Sequence, residues 1–381
     1  MRALWLCLLT ACASCAAEEA DGRARSPLAP APDETHDTSF ATDTDPAAQS
    51  APVRAQEAEP SPAAPTSTND VTIVPHPSWT CGMPEGIPPP QLGTPAFTAE
   101  FDVKANRELG QTQFGLRRLV EFGAGKFSGP KLEATLTSGG FELPLTLPNG
   151  AVELEQVLVL RGGRGGYIYL RVCGVATNTT DPVRVVMDFE APNSGPYASV
   201  NTAKLVGTRT LSPDGKKLKL EVFDVTRVTP PSAKVAVENP PNLRNQTWDC
   251  VKLSGRKGPE MYRETVGIGG SQSVGASKRG TRNIIPITGG TTTGKLAGKI
   301  LPLGADFQLL GGTFIIDARY VAQTNDNALV IVRNCGAIGA LVPVFEAAAD
   351  GKYAFLNEDK WLSSDPSIGL GSVSLTIYEK R

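Results

Sequence analysis

The chain has 381 residues, with 37 basic against 39 acidic side chains and a formal net charge of −2. That balance excludes a protein that holds nucleic acid through a broad basic field. Glycine (39) and proline (31) are abundant, as short strands joined by turns require, and no apolar run reaches the roughly 18 residues of a spanning helix.

In chain order the first predicted element is a targeting segment over residues 1–15. Arg2 supplies a short positive region and Ala3 to Leu9 an apolar stretch too short to cross a bilayer. Leu9-Thr10-Ala11-Cys12 follows the pattern of a bacterial lipobox, which predicts lipidation of Cys12. Cys15 stands behind a weaker version, and an ordinary signal peptide cut near Ala16 or Ala17 is the alternative. A cysteine carrying several acyl chains would anchor the protein to a membrane surface. The expected location is the bacterial cell envelope, as an exported outer-membrane lipoprotein. Residues 16–76 are rich in Ala, Pro, Glu, Asp, Ser and Thr, with Phe40 the one aromatic up to Pro75. Such a leader buries too little apolar surface to offset the entropy of ordering, so it is expected to be disordered.

The rest of the chain contains an internal duplication, the feature to seek first in a sequence of this length. Trp79-Thr80-Cys81 answers to Trp248-Asp249-Cys250, and Gly115-Leu116-Arg117 to Gly280-Thr281-Arg282. Gly125 and Gly129 answer to Gly290 and Gly294, and Gly140-Phe141-Glu142 to Gly304-Ala305-Asp306. Arg171-Val172-Cys173-Gly174 matches Arg333-Asn334-Cys335-Gly336; Tyr197-Ala198 and Asn201 match Tyr353-Ala354 and Asn357. The predicted copies span residues 77–227 and 248–381, joined by a proline-rich linker over 228–247.

Within the copies the pattern is that of strands: Ala96–Val103, Leu154–Leu160, Tyr167–Cys173 and Lys217–Val225 in the first, Thr313–Val321, Ala328–Cys335 and Ser372–Tyr378 in the second. Pro148-Asn149-Gly150, Gly162 to Gly166, Pro213-Asp214-Gly215, Gly311-Gly312 and Asn325-Asp326-Asn327 supply turns. No long helical period is present. The expected fold is all-β, two tandem antiparallel barrels that pack on one another.

Four cysteines remain beyond the export segment, two per copy at matching places. An exported protein meets an oxidising compartment, and duplication favours a crosslink inside each copy, Cys81–Cys173 and Cys250–Cys335. Each such crosslink contributes about 4 kcal/mol in the chain-entropy model. Four buried thiols or a shared metal site is the competing pattern. The only histidines, His36 and His76, lie in or beside the leader. A Ser-His-Asp triad, a Cys-His pair and a histidine-ligated zinc site are thereby disfavoured in the folded part; no metal or cofactor is expected. Gly289-Gly290-Thr291-Thr292-Thr293-Gly294-Lys295 imitates a phosphate-binding loop, but Leu296 stands where a magnesium-binding hydroxyl belongs. It is read as a glycine-rich turn.

The second copy resembles a known family. Gly280-Thr281-Arg282, Pro286 to Gly290, Gly298 to Pro302 and Gly304-Ala305-Asp306 occur in order. Asp317-Ala318-Arg319-Tyr320, Thr324-Asn325-Asp326, Arg333-Asn334 with Gly336, and Tyr353 to Asn357 follow. Together these resemble the family of domain of unknown function 3237, also called UPF0311. The resemblance implies a small antiparallel barrel like allene oxide cyclase and the calycins, with no established general activity. The first copy is a divergent relative: Glu142 replaces Asp306, Glu155 replaces Asp317, and Val157 stands opposite Arg319.

Asp317 and Arg319, two apart on a predicted strand, share one face. Arg333 lies on the next strand, on the same face as Leu329, Ile331 and Cys335. A second-barrel interior lined by Asp306, Asp317, Arg319, Arg333 and Asn357, with Trp361 nearby, would take a small polar or carboxylated ligand, because arginine binds carboxylates through a two-pronged donor. The competing view is a structural salt-bridge network. Three functions follow as expectations: a lipid-anchored protein binding a small polar or anionic molecule, an isomerase or cyclase using a buried carboxylate such as Asp317, and a structural envelope protein without a ligand.

Overall fold

The computed structural model describes residues 70–381; the targeting segment, Cys12 and nearly all of the leader lie outside the described residues. The end of the segment expected to be a disordered leader is instead ordered, because Thr72 and Ile73 are buried, and forms β1 (Thr72–Val74). The first copy contributes β2 (Thr94–Gln111), β3 (Leu116–Ser128), β4 (Ala134–Leu136), β5 (Phe141–Thr146), β6 (Val152–Gly162), β7 (Tyr167–Ala176), β8 (Val183–Glu190), β9 (Leu205–Leu211) and β10 (Lys217–Asp224). Between the copies runs β11 (Lys234–Ala236). The second contributes β12 (Lys257–Ile268), β13 (Gln272–Ser277), β14 (Gly280–Gly294), β15 (Gly298–Gly311), β16 (Thr313–Thr324), β17 (Leu329–Ala337), β18 (Val342–Glu346), β19 (Trp361–Ser363), β20 (Ser367–Gly369) and β21 (Ser372–Lys380). The described chain is all-β, with short 3₁₀ turns and no α-helix, and none of its helical turns is long and apolar enough to cross a membrane.

The first nine-stranded sheet runs β2-β10-β9-β8-β7-β6, continues through β4 and β5 to β3, and closes because β3 pairs back onto β2. Closure removes the open edges that would otherwise invite pairing with another chain. The second sheet follows the same path, β12-β14-β15-β16-β17-β18 on one side and β21-β19 on the other. Its ends meet at the Ser363 N–H, which donates to the Leu341 carbonyl at 3.2 Å, and at Asn334, whose amide donates to the Ser363 hydroxyl at 3.0 Å. Where the first copy breaks into β4 and β5, the second runs unbroken as β15, bent by a register shift between Ile300 and Gly304. At Gly304 φ is +90° and a Cβ would collide with the Arg319 carbonyl, so only glycine fits there.

The glycine-rich stretch 289–294 is strand rather than turn. It forms the second half of β14, in register with β12 from Tyr262↔Gly294 to Gly267↔Gly289. Gly290 lies so close to Thr265 that a Cβ would strike its carbonyl, so close strand approach is what the glycines supply.

Each barrel has its own filling. Phe97, Phe101, Phe127 and Phe189 pack edge-on or tilted inside the first; Tyr262, Ile300, Tyr320, Val332, Phe345 and Trp361 fill the second. A third cluster combines both copies, with Leu119, Phe141, Leu143 and Val159 of the first packed with Ile284, Leu303, Phe307 and Val321 of the second. This explains β6. Leu154, Leu158 and Leu160 point into its own barrel while Val157 and Val159 face the other copy, so the strand is buried on both faces over residues 157–160, which are apolar without a break. The disulfides Cys81–Cys173 and Cys250–Cys335 lie one in each copy, with a Cα–Cα distance of 5.3 Å in both.

The segment between the copies is held at several points. β11 pairs in parallel with β1. Arg244 forms a two-pronged bond to Asp359, at 3.1 and 2.6 Å. Gln246 is buried, accepting from Arg117 at 2.6 Å and donating to Glu153 at 2.6 Å.

Candidate functional site at the contact between the barrels

Strand alternation decides where the sequence-predicted residues go. On β16 the even positions Ala318, Tyr320 and Ala322 face the second core, so the odd positions Asp317, Arg319 and Val321 face the first barrel. The same rule sends Ile331 and Arg333 of β17 outward. Asp317, Arg319 and Arg333 therefore do not line the interior of the second barrel, as expected from sequence; they meet at the contact with the first. Arg333 donates to Asp317 from Nε at 2.8 Å and Nη2 at 3.1 Å, and to the carbonyls of Thr247, Trp248 and Asp249 at 3.2, 2.7 and 3.3 Å. Arg319 bonds Asp317 at 3.1 and 3.0 Å and reaches across to Glu155 of the first copy. Burial alone would raise the Asp317 carboxyl, yet the charges of Arg319 and Arg333 hold it far below the usual carboxylate range. A carboxylate so firmly ionised is a poor proton acceptor at neutral pH, which removes it from the proton-moving role the cyclase expectation gave it.

The remaining three have separate places. Asp306 pairs in register with Ala318, on the opposite face of the sheet from Arg319. It accepts from Gln308 at 2.7 Å and from the Asp317 N–H at 3.3 Å, and burial pushes its carboxyl up to about 7. Its first-copy counterpart, Glu142, instead receives a guanidinium from Arg209. Asn357 clasps Ala347 by both its amide N–H and carbonyl, at 2.9 and 3.0 Å, as Asn201 clasps Ala191 in the first copy. These are turn-fixing bonds repeated by duplication. Trp361 is a core residue, packed edge-on against Phe345 and Phe355 with its indole N–H on the Leu356 carbonyl.

Sequence reasoning missed Glu264. It lies inside the second barrel, 2% exposed, accepting from Tyr320 at 2.6 Å and Tyr262 at 3.3 Å. Burial pushes its carboxyl up to about 7, against the two phenols. The signal was its place between inward-facing Tyr262 and Val266 at period two.

The contact between copies obeys an approximate two-fold relation. Arg117 donates to Glu346 at 2.7 Å; its counterpart Arg282 donates to Glu190 at 2.6 Å. Arg117 also holds the Leu143 carbonyl and Arg282 the matching Phe307 carbonyl, at 3.1 and 2.9 Å. Thr112 donates to Glu346 as Ser277 donates to Glu190, at 2.6 and 2.7 Å. Trp79 and Trp248, the equivalent entry tryptophans, stack face to face with centroids 4.1 Å apart. Each copy thus presents the same patch to the other, the pattern of a self-complementary dimer contact within one chain.

The two-fold relation breaks at two crevices beside the stacked tryptophans. In one, of about 240 Å³, Arg333 and Cys335 form part of the wall and Arg244, Asn245, Gln246 and Thr247 line it as well. In the other, of about 380 Å³, Arg171 and Cys173 hold the corresponding positions, joined by Asp188, Lys204, Trp248, Lys278 and Arg279. Register confirms the match: Arg171 pairs with Asp188 on β8 as Arg333 pairs with Val344 on β18. Arg171 is treated very differently from Arg333. Its guanidinium lies 3.4 Å from the centroid of the Trp248 ring, and its Nε and Nη2 are buried with no hydrogen-bond partner. Burial lowers its pKa to about 10, against the pull of Tyr169 and Glu155.

The fold and this duplicated contact define a tandem pair of antiparallel barrels. A family model described as "Protein of unknown function (DUF3237)" matches residues 90–228 and 260–340. The chain belongs to this family, carrying it twice. Among curated relatives, a UPF0311 protein of Bradyrhizobium diazoefficiens is 46% identical over 78 residues, 20% of this chain and 51% of that protein. A UPF0311 protein of Rhodopseudomonas palustris is 44% identical over 79 residues, 20% of this chain and 52% of the relative. The chain thus spans about half the length of the curated relatives it matches. A solved protein of unknown function from Clostridium acetobutylicum is 22% identical, with 34% of this chain and 97% of that one covered at a TM-score of 0.31. A beta-barrel like protein from Acinetobacter baumannii, also 22% identical, covers 35% and 94% at 0.31.

Proposed function

We propose that the chain is an exported, membrane-tethered protein that binds a small anionic molecule in the crevice between its two barrels. The observation that carries this reading is the make-up of the 380 Å³ crevice. Arg171, Lys204, Lys278 and Arg279 line it against a single carboxylate, Asp188. Both copies contribute to its walls, so the site belongs to the pair rather than to either barrel. Ligand sites commonly form where domains meet, and here the second barrel's interior is occupied by its own side chains. Export is supported by the targeting pattern at residues 1–15 and by two disulfides, which persist in oxidising compartments.

The test uses the full-length protein incubated with a bacterial metabolite extract, exchanged into volatile buffer and weighed by native mass spectrometry. The expected result is a retained, chemically unaltered anionic compound. A protein that emerges with no added mass from extracts of several growth conditions would overturn the reading.

A further inference from the structure

The difference between Arg171 and Arg333 says what the crevice selects. Arg333 spends Nε and Nη2 on Asp317 and its terminal nitrogens on three backbone carbonyls of the entry segment. Arg171 stands at the same place in the first copy and has none of these bonds. The reason lies in two substitutions. Glu155 takes the place of Asp317, and its carboxylate is drawn across the contact by Arg319, a residue whose first-copy counterpart is Val157. Glu155 acts on Arg171 through its charge but forms no hydrogen bond with it. The first copy has therefore kept a guanidinium while losing the groups that neutralise it in the second.

We infer that Arg171 is the recognition residue of a site for a small organic monocarboxylate with an apolar body, one per chain. The inference rests on the binding reading above and names its ligand class. Trp248 holds the guanidinium from one side, and a stacked arginine presents its donors in a fixed plane that suits a carboxylate. Met83 and Val186, with the edge of Trp248, supply apolar wall. Lys278 and Arg279 are already paired with Asp188, at 2.7 and 2.8 Å, so of the four cations lining the crevice Arg171, deep within it, and Lys204, at its exposed side, form no salt bridge with a described residue. One deep cation matches a singly charged head. A compact dianion such as phosphate would lose much hydration and find few donors. The volume suits a molecule of modest organic size.

The probes are phenylacetate, its neutral isostere phenylacetamide and inorganic phosphate, titrated calorimetrically into the full-length protein. Phenylacetate is expected to bind once per chain, with the amide and phosphate at least about tenfold weaker, the scale of a lost charge partner. Arg171→Met should weaken phenylacetate about tenfold or more. Lys204→Glu, an exposed change that leaves the fold alone, should weaken it about threefold and reduce its salt dependence. The inference is overturned if Arg171→Met keeps its circular dichroism and binds phenylacetate as tightly, or if the amide or phosphate binds equally well. Failure here is separable from failure of the binding reading. If Arg171→Met still retains the compound captured from extract, the binding reading stands and this assignment falls; if neither protein retains anything, the binding reading itself falls.

Discussion

The Arg282 guanidinium grips the Glu190 carboxylate across the contact between the two copies, through Nη2 at 2.6 Å and Nε at 3.0 Å. Both side chains are buried, and Arg117 holds Glu346 in the opposite direction through its Nε alone, with its Nη2 on Gln246. Removing one partner of such a pair strands the other charge out of water, at about 3–5 kcal/mol. Glu190→Gln and Glu346→Gln should each lose stability on this scale in urea titration. A double variant Arg282→Met/Glu190→Gln should be less unstable than the two single losses added together. Strict additivity would mean that the pair does not couple.

Glu264 gives a pH dependence with a defined sign. Its folded pKa, about 7, lies above the unfolded value of 4.5. The folded state therefore holds the proton more tightly, and stability falls as pH rises from about 4.5 through about 7. The difference is on the order of 3 kcal/mol. Asp306 contributes with the same sign in the same window. Glu264→Gln should raise the melting temperature relative to wild type at pH 8 and do so much less at pH 4.5. A melting difference independent of pH would contradict the assignment.

Arg319 provides a test of the copy asymmetry. Replacing it by Val, the residue at the matching place in the first copy, should release Glu155 and leave Asp317 with Arg333 alone. Asp317 then loses the larger of the two charges that hold its carboxyl down, so its pKa should rise, which carboxyl-detected NMR would follow. The same variant should weaken anion binding, because a released Glu155 can neutralise Arg171. Unchanged binding would show that Glu155 does not control the crevice.

Breaking either disulfide should cost about 2–5 kcal/mol. Cys81→Ala/Cys173→Ala is expected to disturb the Trp79–Trp248 stack as well, since Trp79 lies two residues from Cys81 and its indole N–H bonds the Gly174 carbonyl, next to Cys173. Tryptophan fluorescence should shift in this variant and melting should occur earlier. A normal spectrum with normal melting would show that this crosslink is incidental.

Much of the fold was legible because its signals are local. Strand alternation, turn dipeptides and the repeated Trp-x-Cys and Arg-x-Cys-Gly patterns need only neighbouring residues or a comparison of the chain with itself. The site was less legible. Period two says that Asp317 and Arg319 share a face, but not which face. That depends on whether Ala318, Tyr320 and Ala322 or Val321 and Ile331 meet the barrel's own core, and both sets are apolar because both sides of β16 are covered. Gln246 looked like part of a linker because its partners, Arg117 and Glu153, are distant in sequence. Arg171 was visible as a repeat position; the lack of hydrogen-bond partners for its Nε and Nη2 follows only once Glu155 is seen turned toward Arg319.

Scanning calorimetry of the full chain tests most directly whether the two copies form the single unit on which a shared crevice depends. One cooperative transition is expected, with calorimetric and van't Hoff enthalpies in agreement, lowered as a whole by Glu190→Gln. Two separate transitions in the unaltered protein, only one of them moved by that substitution, would contradict it.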